Sequence, residues 1–143
     1  MLYVPPNGLT TYSASLNADV SLPQNTPELI FTTPVLPVGS YLLIASLDIT
    51  LTTGESVDVV CALGTALGTI TGKSSDTVGY AAGAGVTLYP VSTIAAILNI
   101  TTAGTITITA EMYGSSTAAT VRRYSFNQSN PNASGYSIIG PNI

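Results

Sequence analysis

From Ser40 to Thr52 the side chains alternate: Tyr41, Leu43, Ala45, Leu47, Ile49 and Leu51 share one face, and Leu42, Ile44, Ser46, Asp48 and Thr50 share the other. A period of two is the signature of a strand. This one is apolar on both faces at its start and on one face towards its end. A second run, Thr105 to Tyr113, places isoleucines inward and threonines outward. A third, Val86 to Thr101, sets Ile94, Ala96, Leu98 and Ile100 against Thr93, Ala95, Ile97, Asn99 and Thr101. Shorter strands are predicted over Ala14 to Val20, Glu28 to Thr33, Ser56 to Leu63, Leu67 to Thr71, Ala118 to Phe126 and Tyr136 to Ile139.

Turn residues separate these runs. Pro23, Pro27, Pro34 and Pro37 frame the early strands, and Thr52-Thr53-Gly54-Glu55 predicts a hairpin between the longest strand and Ser56 to Leu63. Six glycines between Gly64 and Gly85 predict one short strand with long loops, and Asn127 to Gly135 reads as a polar loop. No stretch has helical periodicity. About eight or nine short strands with no helix predict an all-β, antiparallel β-sandwich, most simply a jelly roll. Residues 1–12 contain Pro5-Pro6-Asn7-Gly8 and are expected to form a short N-terminal arm ahead of a single sandwich domain, residues 13–143.

Composition narrows the function. Among 143 residues there are three Lys+Arg and seven Asp+Glu, where an average chain would carry about 36 charged side chains. Polarity comes instead from 21 Thr and 15 Ser. The basic residues are Lys73, Arg122 and Arg123, and the formal net charge is −4, so no basic stripe is available for nucleic acid. Apolar stretches break off well short of the roughly 18 residues of a membrane helix, and the start, MLYVPPNGLTTY, has neither the basic segment nor the apolar core of a secretory leader. We expect neither nucleic acid nor membrane as a partner.

Catalytic chemistry finds little to work with. There is no His, which removes the commonest general base and metal ligand. The single Cys61 has no intrachain disulfide partner and reads as a small buried residue. Gly72-Lys73-Ser74 resembles the end of a phosphate-binding loop, but Leu67 stands where the leading glycine is needed. Asp48, Glu55 and Asp58 gather around one turn, yet their spacing matches no calcium loop, and we read them as solvated strand edges. The triplets at Asn99, Asn127 and Asn132 would be glycosylated only in a secretory pathway. A non-enzymatic protein without cofactor or metal is expected.

The order of Ala14 to Val20, Thr26 to Thr33, the entry Pro34 to Leu43, the Ser/Thr/Gly-rich middle Gly64 to Gly85, the strand Gly104 to Ala110 and the short terminal strand Gly135 to Ile139 resembles the trimeric jelly-roll modules of bacteriophage virions. These are head-decoration, head-fibre and tail receptor-binding proteins, similar in fold to tumour-necrosis-factor-like heads. The resemblance spans roughly residues 13 to 140 and implies a homotrimer with no catalytic residues to carry over. The charge deficit agrees, since a surface that faces copies of itself or a shell needs little charge.

Two functions follow as expectations. The first is a virion structural protein, a capsid-decoration or head-fibre subunit that binds the major capsid protein or another virion protein. Its interface candidates are Tyr3, Val4, Pro5 and Pro6 of the arm, together with Arg122 and Arg123, one of which should pair with Asp48, Asp58 or Glu111. The alternative is a tail-tip or surface receptor-binding module for host glycan, with Tyr80, Tyr89, Tyr124 and Tyr136 as loop residues that stack on sugar.

Overall fold

The computed structural model describes residues 9–53, 56–64, 67–81, 86–114, 118–123 and 134–141. They form twelve strands: β1 Thr10–Ser15, β2 Val20–Leu22, β3 Glu28–Thr32, β4 Gly39–Thr53, β5 Ser56–Gly64, β6 Gly68–Lys73, β7 Ser75–Ala81, β8 Val86–Leu88, β9 Val91–Ile100, β10 Thr107–Gly114, β11 Ala118–Val121 and β12 Gly135–Gly140. Two antiparallel sheets pack face to face as a jelly roll.

The large sheet is organised by β4. Along Gly39–Asp48 it pairs with β9 on one side, and Leu42–Ser46 pairs with β12 on the other, with β6 and β1 outside them. Along Ile49–Thr53 its partners change to β8 and β11, with β2 beyond β11. The flanking strands are therefore interrupted at one level, where β4 runs on unbroken. The small sheet has the order β3-β10-β5-β7.

Alternation along β4 is obeyed on the inner face, where Tyr41, Leu43, Ala45, Leu47, Ile49 and Leu51 are all 0–1% exposed. They pack with Ile94, Leu98 and Ile100 of β9 and with Ile106, Ile108 and Ala110 from β10 and its approach. The predicted isoleucine-in pattern of that segment is present. Each such side chain contributes roughly 1.5–3 kcal/mol when fully buried, so the core of a jelly roll of this length is ample. Phe31 of β3 meets Tyr136 of β12 edge to face across the two sheets, with ring centroids 5.2 Å apart.

Several sequence expectations are corrected. The hairpin between β4 and β5 does not form, because both edges of β4 are taken by other strands and the chain crosses into the small sheet, where β5 pairs with β10 and β7. The expected strand Ala14 to Val20 stops at Ser15 and resumes at Val20; between them Leu16 turns into the core and its amide bonds to the Ser134 carbonyl at 2.9 Å. Val86 to Thr101 is split into β8 and β9 by Tyr89 and Pro90, since proline supplies no amide to a ladder. Two strands, β6 and β7, occupy the glycine-rich stretch expected to hold one. β7 reads Ser-Asp-Thr-Val-Gly-Tyr-Ala, too polar to announce itself. The strand expected to run to Phe126 ends at Val121, and β1 begins at Thr10, so the last residues of the expected arm are already in the sheet.

Close strand approach explains Gly68. A Cβ there would lie 1.8 Å from the Asn99 carbonyl oxygen and 3.1 Å from the Ile100 Cα, both backbone atoms that cannot move aside. Gly68→Ala is expected to cost about 1–3 kcal/mol through loosening of the β6–β9 pairing. Urea unfolding against wild type measures it.

Candidate interaction face and the waist of the large sheet

Register places the outward side chains of the large sheet in rows. One row runs Ser13, Ser137, Ile44, Ala95, Lys73, the next Thr11, Ile139, Leu42, Ile97, Thr71, and a third Ser15, Gly135, Ser46, Thr93. Above them Ser40 donates to the Asn99 side-chain oxygen at 2.8 Å. The middle is apolar, with Ile44 49% and Ile139 41% exposed, and hydroxyls surround it. Lys73, at one corner, is the one charged residue in these rows. Beside Ile44 an open groove of about 420 Å³ is lined by Ser13, Ser15, Ser46, Ser137 and the Gly135–Tyr136 segment of β12. Small side chains on β1 and β12 leave it unfilled.

The signal for this face was in the sequence: Leu42-Leu43-Ile44 and Ile138-Ile139 break the alternation by putting apolar groups on both sides. Their prominence as a patch was missed, because it depends on β12 and β9 lying beside the start of β4.

Below this face the interrupted flanks meet at a waist around Asp48. Its amide donates to the Ser134 hydroxyl at 3.0 Å, and its carbonyl accepts from the Arg122 amide at 2.8 Å. The next residue, Ile49, donates to the Pro90 carbonyl at 2.9 Å, and the Arg123 amide donates to an Asp19 carboxylate oxygen at 2.8 Å. Polar groups left over where strands break are thereby satisfied, as buried backbone requires. Arg122 lays its guanidinium over the Tyr89 ring, 5.0 Å from the centroid.

The expected site residues separate accordingly. Tyr3, Val4, Pro5, Pro6, Tyr124 and Glu55 lie outside the described residues. Tyr136 is not a loop residue: it is 6% exposed on β12 against Phe31, and burial raises its hydroxyl pKa. Its place in an alternating strand, facing in, overrides the polar loop that precedes it. Tyr89 is exposed beside the waist, whereas Tyr80 stands on β7 of the other sheet, so these tyrosines do not converge. Of the acids offered to the arginines, Asp48 adjoins Arg122 through backbone, while Glu111 accepts from the Tyr113 hydroxyl. Within the chain, Arg122 turns to an aromatic ring.

Lys73 is not part of a free polar loop. It ends β6, and its ammonium is 2.9 Å from Asp76 at the start of β7, where the chain passes from one sheet to the other. The other Asp76 oxygen accepts from the Thr93 amide at 3.0 Å. Burial alone would raise the Asp76 carboxyl pKa. The bonds from Lys73 and Thr93 outweigh it, helped by the dipole of Ser92, whose buried hydroxyl finds no partner of ordinary hydrogen-bond geometry, and hold the carboxyl below its usual value.

No family model matches the chain, and no curated protein matches it in sequence. Among solved structures it is similar to that of Eiger TNF from S. frugiperda, with a TM-score of 0.59 and 10% identity over 93% of this chain and 92% of that one. The likeness is one of fold. A tumour-necrosis-factor-like jelly roll is thus the architecture of this protein.

Two outcomes test these assignments. Tyr136→Ala should cost about 3–5 kcal/mol in thermal or urea unfolding, as for a core aromatic, while Tyr89→Ala stays within about 1 kcal/mol. Asp76→Ala should cost about 1–2 kcal/mol at neutral pH. Because the folded carboxyl holds its proton less tightly than the unfolded one, this stabilisation is complete above the ordinary carboxylate value and is lost as pH falls through the folded value. The variant should therefore lose less stability than wild type between neutral pH and strong acid in a pH series of unfolding curves.

Proposed function

We propose that this protein is a non-enzymatic structural subunit of a bacteriophage particle, a capsid-decoration or head-fibre protein that assembles as a homotrimer. The observation that carries the reading is the outer face of the large sheet: Ile44, Ile139, Leu42 and Ile97 at its centre, hydroxyls around them, and charge only at its margin, in the Lys73–Asp76 pair and in Asp48 at the waist. An apolar centre inside a neutral polar rim is the anatomy of a protein interface. Enclosing half-exposed isoleucines against copies of the chain removes apolar area from water at roughly 25 cal/mol per Å².

Self-association around a closed axis also suits a chain with so few charges. With a formal net charge of −4 and most of its polarity in Thr and Ser, it brings little like-charge repulsion to a neutral contact. A heterologous contact, in which the isoleucine ridge of one copy meets the serine-lined groove of the next, closes into a ring when the rotation allows it.

Sedimentation equilibrium supplies the test. Wild type is expected at the mass of three chains, and Ile44→Asp, a change at a half-exposed position that leaves the core untouched, at that of a single chain with an unchanged circular dichroism spectrum. A monomeric wild type overturns the homotrimer. Counting copies per purified particle then separates decoration, at high copy, from a fibre at a few copies.

A further inference from the structure

We draw no further inference here: the strongest candidate, the loop-built end of the sandwich where Leu9, Val35 and Val38 stand exposed, is an apolar patch, and nothing in the structure shows what covers it.

Discussion

Everything in the large sheet depends on β4 having strands along both edges over most of its length. Fifteen residues long, it is flanked by β9 and β12 along its first part and by β8 and β11 along its last. A strand so enclosed donates and accepts on both sides and leaves no edge for its successor. This is why the chain leaves the sheet after Thr53 and β5 starts the opposite one, and why β10 follows it there after β9, whose free edge belongs to β6. Crossing between sheets at successive turns makes the sandwich a jelly roll, where a series of hairpins would have made a flat meander.

The same enclosure has a local cost where the flanks break. At the level of Asp48 and Ile49 the neighbours are no longer regular strands, and backbone groups that would have joined ladders need other partners. Ser134, Arg122 and Pro90 supply them, with Asp19 holding the Arg123 amide. The few charged side chains of the protein are concentrated in part at this waist and at the Lys73–Asp76 sheet crossing. They serve irregular backbone there, while Glu28, Asp58 and Glu111 lie on strands of the small sheet and the outer rows of the large sheet are left nearly neutral.

Two neutral surfaces result, and they differ in kind. The outer sheet face is wide, with branched side chains rising beside a serine-lined groove, and suits packing against another copy. The end of the sandwich that bears Leu9, Val35 and Val38 is small, loop-built and braced from beneath by Tyr41 and Thr33. The self-association proposed above would give the scarcity of charge a use, since a face turned towards other copies of the chain needs little of it.

Much of this was legible in the residues alone. Alternation in β4, β9 and β10 depends only on which side chains share a pleat, so it identified the strands and their inner faces, and the absence of helical periodicity settled the class. Composition had already removed His-based chemistry and marked a protein poor in charge. What only the tertiary structure decided was partnership: that β4 and β5 part company, that a polar segment becomes β7, that Tyr136 faces the core and Arg122 a ring, and that Val35, Val38 and Leu9 meet at one end. Period-two patterning states which way a side chain points but not which strand lies alongside, because backbone hydrogen bonds are the same for every sequence and the choice among edges belongs to the fold as a whole.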